Sequence, residues 1–233
     1  MGHGLNLGDV VPDFTAFTAE ESTFDWHAWI DGSWAMLCSH PADFTPVCTT
    51  ELGYLAKIMP EFEKRGVKVA AISCQSSESH KEWITDIEAT HFAEGSKVTF
   101  PLIEDTSRRI SEAYGMLDPD EKFEGLPMAC RAVFIIGPDK TLKLSILYPA
   151  TTGRNFHEIL RVIDSLQLTA NHKVATPANW THGGKVMVLP TLADAEAKEL
   201  FSTPARPEGF VKLEVPSQKG YLRMTDDPVT KLQ

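Results

Sequence analysis

The chain has 233 residues, a formal net charge of −10 and an apolar content of 42%. This length suits one large domain, or one domain with an appendage; the acidic balance and the lack of a basic run argue against a nucleic-acid partner, and no apolar stretch is long enough to cross a bilayer. Met1-Gly2-His3-Gly4 has neither the positive region nor the apolar core of a secretory signal, and Asn6 stands where myristoylation wants Ser or Thr.

The first strand candidates are residues 14–17 and 34–38. After the second comes Pro41-Ala42-Asp43-Phe44-Thr45-Pro46-Val47-Cys48, a helix start built around a cysteine. Thr45 suits the N-cap and Pro46 the first helical position. Cys48 then falls in the first turn, where a capping box would carry a glutamate. Free backbone N–H groups and the positive helix end favour an anion there. The sulfur is therefore expected to ionise more readily than a free thiol, and the thiolate is the reactive form. The competing reading is an inert buried thiol at a well-capped helix. Leu52, Leu55, Ile58, Met59 and Phe62 continue the helix at helical spacing to a stop at Gly66, with Pro60 as a bend.

Residues 67–72 read as a buried strand, followed by a helix from Ser77 with Trp83, Ile84 and Ile87 inward. A short strand at 99–103 precedes a helix capped by Thr106 or Ser107 and stopped by Gly115. Residues 132–136 and 142–148 flank the turn Gly137-Pro138-Asp139-Lys140 as a β-hairpin. Asn155 caps a helix carrying Phe156, Ile159, Leu160, Ile163 and Leu166 on one side. Strands alternating with helices imply an α/β fold with a largely parallel sheet covered on both faces. Cys48 lies at the carboxyl end of a strand, where such sheets hold their ligands.

Composition shifts near Ala170, which sets the expected domains at 5–169 and 170–233. The second part is rich in proline, with one helix at 192–201 and a hairpin from 211–215 to 221–224. It is expected to be too small for a strong core and to wrap the main domain or a second subunit. Cys38, Cys48, Cys74 and Cys130 contain no C-x-x-C, so neither a thioredoxin-type pair nor a zinc knuckle is visible, and a reducing, cytoplasmic setting fits. No histidine lies three to five residues from another, so no metal-ligand pair is expected, and no cofactor is called for.

The stretch Pro41 to Cys48 resembles the active-site signature of the peroxiredoxin family, with Pro41, Thr45 and Cys48 in its fixed places. Arg131 ahead of residues 132–136 matches the family's arginine. Residues 142–155 and Val174-Ala175-Thr176-Pro177 resemble its one-cysteine, peroxiredoxin-6-like subgroup. The resemblance implies a thioredoxin-like fold with a small C-terminal α+β dimerisation arm, hence a homodimer or higher oligomer. It implies reduction of hydrogen peroxide and of organic, including lipid, hydroperoxides. Cys48 would attack the peroxide and become a sulfenic acid. Arg131 would offset the developing charge, Thr45 would bond the peroxide, Pro41 would exclude water, and the N–H groups of Val47 and Cys48 would complete the cradle. His40 resembles the subgroup's pocket histidine and Arg154 a supporting arginine. From the residues alone, a surface ion pair at a strand start is the favoured reading of Arg131, and only the family match lifts it; Thr45 reads also as a simple cap, and His40 equally as packing beside Pro41. No cysteine follows Cys130, so an outside thiol, with glutathione as the subgroup's usual donor, is expected to resolve the sulfenic acid.

Some subgroup members also act as phospholipases, and Ser33, His27 and Asp139 match those positions. The frame Asp31-Gly32-Ser33-Trp34-Ala35 lacks the last glycine of a Gly-x-Ser-x-Gly elbow. A chaperone holdase with a silent cysteine is the remaining alternative. A disulfide reductase is disfavoured by the missing C-x-x-C.

Overall fold

The computed structural model describes residues 4–20 and 22–229. The reading of Met1 to His3 and the last four residues of the 170–233 region lie outside the described residues. Two compact units divide at the start of one helix: the first runs to Phe156 and the second begins at His157.

The first unit contains, in chain order, β1 (Thr15–Phe17), β2 (Thr23–Asp25), α1 (Trp26–Trp29), β3 (Trp34–Ser39), α2 (Pro46–Lys64), β4 (Val67–Ser73) and α3 (Ser77–Ala89). It continues with β5 (Leu102–Glu104), α4 (Arg109–Ala113), β6 (Leu117–Phe123), β7 (Leu126–Ala129), β8 (Arg131–Ile136) and β9 (Leu142–Tyr148). The central sheet has the order β5-β4-β3-β8-β9. β3, β4 and β5 pair in parallel, and the β8–β9 hairpin extends them antiparallel to β3.

β3 is buried on both faces, which is why it is apolar almost throughout. Ala35 and Leu37 join a cluster with Trp26, Ile72, Tyr114 and Phe134. Met36 and Cys38 alternate to the other face, the side on which α2 packs against β4. Each large apolar side chain removed from water this way contributes about 1.5–3 kcal/mol. The chain leaves β3 at Ser39, turns, and enters α2 at Pro46, so the strand's carboxyl end and the helix's amino end meet at one place.

Several expectations need correction. Pro60 lies inside α2 and does not end it: the ring removes one intrahelical bond, and Glu61 to Lys64 complete the last turn. Gly66 stops it at φ 63°, a conformation that favours glycine. The 99–103 strand is shorter and later, at β5. Neither the Thr106 nor the Ser107 hydroxyl is the principal cap of α4. The Asp105 carboxylate accepts from the Ile110 and Ser111 N–H groups at 3.2 and 2.7 Å. On α3, Ile84 is only half-buried, and His80 takes the inward position beside Trp83 and Ile87. The β6–β7 ribbon was invisible because Asp118, Pro119, Asp120, Glu121 and Lys122 are poor strand formers on a mostly exposed strand.

The second unit is built from α5 (Phe156–Asn171), β10 (Val174–Ala175), β11 (Val186–Val188), α6 (Asp194–Phe201), β12 (Val211–Lys212) and β13 (Arg223–Thr225). Its strands form an antiparallel sheet in the order β10-β11-β13-β12, and the expected late hairpin is the β12–β13 pair, Val211 facing Met224. Contrary to the expectation of a weak core, Leu168, Val174, Trp180, Val186, Val188 and Phe201 pack in one buried cluster. Leu168 of α5 and the large Trp180 supply volume that the short strands lack. The composition shift near Ala170 falls inside this unit.

Candidate active site

Thr45 takes the N-cap position of α2 with extended φ −112° and ψ 147°, and Pro46 opens the helix. The expected side-chain cap is absent. The Thr45 hydroxyl instead donates to the Ala42 carbonyl at 2.8 Å. No side chain caps the helix, so its first N–H groups, including those of Val47 and Cys48, keep the positive helix end open. No group among the described residues donates to the Thr45 hydroxyl oxygen. Phe44, just before, holds φ 51°, a left-handed conformation costing a bulky residue about 1–2 kcal/mol. Pro41 is buried at the start of this loop.

Cys48 is completely buried, and Arg131 Nη1 donates to its Sγ at 3.3 Å. Arg131 opens β8 and is fixed by its other donors, Nε at 2.9 Å and Nη2 at 2.6 Å from the Ala150 carbonyl. Its Nη1 also reaches Glu51 Oε2 at 2.8 Å. Glu51 sits three residues after Cys48, hence on the same side of α2. Arg154 donates to Glu51 three times, from its backbone N–H at 2.6 Å, Nε at 3.0 Å and Nη2 at 2.8 Å. Arg154 Nη1 binds the Ser39 and Ala132 carbonyls at 2.8 and 2.9 Å, tying the ends of β3 and β8. Burial pushes the Glu51 carboxyl up, but the Arg154 charge and bonds, then Arg131, outweigh it and hold the group below its ordinary range. Two buried guanidinium charges thus face one carboxylate, leaving one positive charge for a sulfur to balance. Cys38 is excluded from that task, because burial pushes its thiol up to about 11.

Within the Ser39–Cys48 connection, His40 Nε2 lies 2.8 Å from Asp43 Oδ1, and His80 Nδ1 of α3 lies 2.7 Å from Asp43 Oδ2. Ligand-type atoms of these three buried residues fall within 4.8 Å of one another. The close spacing is that of shared protons, since two ligands on a tetrahedral zinc stand about 3.3 Å apart.

Residues 7–145 match the family model described as the AhpC/TSA family, and residues 165–203 match the C-terminal domain of 1-Cys peroxiredoxin. Human peroxiredoxin-6 is 54% identical over 230 residues, covering 98% of this chain and 100% of that one. The chain is a peroxiredoxin. The 1-Cys peroxiredoxin of Dirofilaria immitis is 52% identical over 239 residues, again covering 98% of this chain and 100% of the other. A cysteine-to-serine mutant of the peroxiredoxin 6 of Arenicola marina superposes with a TM-score of 0.90 at 51% identity, over 97% of this chain and 99% of that chain. A yeast mitochondrial 1-Cys peroxiredoxin, solved to explain thiol resolution through glutathione/thioredoxin systems, gives 0.81 at 39% identity over 95% and 99%. The resemblance carried by Pro41 to Cys48 is borne out, as is the thioredoxin-like fold. This peroxiredoxin is an oxidoreductase, a thiol-dependent peroxidase of the one-cysteine group.

The peroxiredoxin's other candidate residues are not brought together. Ser33 Oγ reaches the Asp31 carbonyl at 3.4 Å. His27 Nε2 lies 2.8 Å from the Val11 carbonyl, and the nearest carboxylate to its Nδ1 is Asp13 at 3.8 Å. Asp139 is engaged by Thr141 and by Lys143 at 2.7 Å. No hydrogen bond joins Ser33, His27 and Asp139 among the described residues. All four cysteines are free, and burial raises Cys74 and Cys130 as it does Cys38. Sequence reasoning missed Glu51, Asp43 and His80. The signal for Glu51 and His80 was a charged or polar residue on an otherwise apolar helix face, beside Leu52 in α2 and three residues before Trp83 in α3.

Proposed function

We propose that Cys48 is the peroxidatic residue and that the Cys48–Arg131–Glu51–Arg154 network is its machinery. The single observation that carries this is the Arg131 guanidinium donating to the buried Sγ while the same nitrogen holds Glu51. The Cys48 thiolate attacks the terminal oxygen of hydrogen peroxide or of an organic, including lipid, hydroperoxide. An S–O bond forms, the O–O bond breaks, sulfur is oxidised by two electrons to the sulfenic acid, and an alkoxide or hydroxide leaves and is protonated. Arg131 and the Val47 and Cys48 N–H groups stabilise the charge on the departing oxygen. Thr45, its hydrogen committed to Ala42, accepts from the peroxide O–H. Pro41 limits water. His40 borders the pocket, and Arg154 acts through Glu51, keeping Arg131 aimed.

An outside thiol then attacks the sulfenic acid, releasing water and leaving a mixed disulfide that a second thiol reduces. Cys38 and Cys74 support this, being buried thiols whose neutral form is favoured. Glutathione is the proposed donor, in keeping with the system named for the yeast relative. We place the protein in the cytoplasm as a homodimer, or a higher oligomer, in which residues 5–169 carry the chemistry and 170–233 the dimerisation arm, with a role in antioxidant defence. No observation favours the lipase or holdase alternatives. Mass spectrometry after one equivalent of peroxide tests the assignment: one oxygen on Cys48, and no turnover by Cys48→Ser, are expected. Turnover surviving that substitution overturns it.

A further inference from the structure

A buried acceptor without a partner marks a place kept for a transient donor. His40 is wholly buried, and its Nδ1 has no hydrogen-bond partner. An atom in that state is disfavoured unless something else binds it. The residue follows Ser39, whose carbonyl accepts from Arg154, and the Arg154 charge also bears on the His40 ring.

Its tautomer follows from Asp43. Burial pushes the Asp43 carboxyl up, but the hydrogen bonds from His40 and His80 outweigh it and hold the group well below the ordinary range. An ionised carboxylate only accepts. His40 Nε2 therefore carries the hydrogen, donated to Oδ1 at 2.8 Å. Burial, reinforced by His80 and Arg154, keeps the ring neutral against the pull of Asp43. Nδ1 is left as a bare lone pair. Asp43 is itself clamped. Its Oδ2 accepts from Ser79 Oγ and His80 Nδ1, both at 2.7 Å. His80 Nδ1, facing a carboxylate that can only accept, carries the hydrogen of that contact, and its Nε2 lies 3.1 Å from the Ile103 carbonyl. The Trp83 ring, 5.1 Å from that of His40, limits rotation of the imidazole.

We propose that Asp43 and His80 are positioning residues for the peroxidase reaction: they lock His40 in the tautomer whose bare Nδ1 accepts the O–H of the hydroperoxide that Cys48 attacks. This rests on Cys48 being the peroxidatic sulfur. The hydrogen held by Nδ1 stays on the oxygen that becomes the sulfenic acid, and the alkoxide takes the proton the thiol gave up, so no proton is consumed at His40. Thr45 shares that same O–H as the second acceptor of a three-centre hydrogen bond, and the hydroperoxide is held in line for attack.

The test joins spectroscopy to kinetics. Nitrogen NMR of the histidine rings, with His40 assigned through His40→Gln, is expected to give the Nε2–H tautomer in the wild-type protein. His80→Leu is expected to lower the peroxide rate constant about 100-fold. His80→Asn, whose amide can donate to Asp43 as Nδ1–H did, is expected to restore most of it. A wild-type His40 protonated on Nδ1, or a folded His80→Leu protein at full rate, overturns the proposal; the tautomer decides even where a variant does not fold. If Cys48→Ser keeps turnover, the peroxidatic assignment fails instead.

Discussion

Two polar clusters adjoin the carboxyl end of β3, and they are stabilised differently. Ser39 faces a cluster of fixed charges, in which Glu51 is shared by Arg131 and Arg154. His40 opens a cluster of titratable rings, in which Asp43 is shared by two imidazoles. Guanidinium stays protonated at any working pH, so the first cluster supplies a constant field to the sulfur. Imidazole changes state near neutrality, so the second holds its pattern only while its hydrogen bonds dictate which nitrogen carries the proton. Constant charge suits stabilisation of a leaving oxygen. A chosen tautomer suits orientation.

The difference is easiest to break at its most buried ion. Glu51→Gln leaves two buried guanidiniums without a counter-charge, and a loss of about 3–5 kcal/mol is expected in denaturant titration. A loss below about 1 kcal/mol would mean that the cluster is not held by charge. Next in size, Arg131→Lys keeps the charge but loses the fork that spans Ala150, Glu51 and Sγ. Stopped-flow oxidation is expected to slow about 10²- to 10³-fold, and a rate within threefold of wild type would remove the case for aimed donors.

Acid sharpens the contrast. His40 is held down mainly by burial. Asp43 is held down because its hydrogen bonds from His40 and His80 outweigh burial, and Glu51 because Arg154 and then Arg131 do. In all three the unfolded chain takes up the proton first as pH falls, so each group's stability is present above its unfolded value and is lost below it. The His40 share fades below about pH 6.5, and the carboxylate share below about pH 4. Denaturant midpoints should decline in two stages, and His40→Gln should abolish the first while sparing the second. A single carboxylate-range decline in the wild type would show that His40 contributes nothing. The smallest effect is expected far from both clusters. Asp139→Ala removes an exposed pair with Lys143 and should change stability by less than about 1 kcal/mol and peroxide turnover not at all.

What was legible in the sequence was local. Thr45, Pro46 and Gly66 define the ends of α2, because cap geometry and the conformations of proline and glycine depend on immediate neighbours. The strands around Leu37, Ala70 and Phe134 were readable because both faces of a buried sheet demand apolar residues. What Thr45 does with its hydroxyl was not readable, since the competing acceptor, Ala42, comes within reach only once Phe44 adopts its left-handed turn. The ribbon at Leu117–Phe123 was hidden because exposed strands need no apolar alternation. From the residues alone, Arg131 looked like a surface ion pair, and only the fold carries it 83 positions back along the chain to Cys48. Glu51 meets Arg154 across 103 positions. A charge in a helix pattern reads as solvent-facing until its counter-charges arrive from a distant strand and loop. The amino-acid sequence by itself therefore determined where the nucleophile sits and which way its helix points. Tertiary structure alone decided which charges surround it, because the energy of a buried ion is set by partners that local order along the chain does not encode.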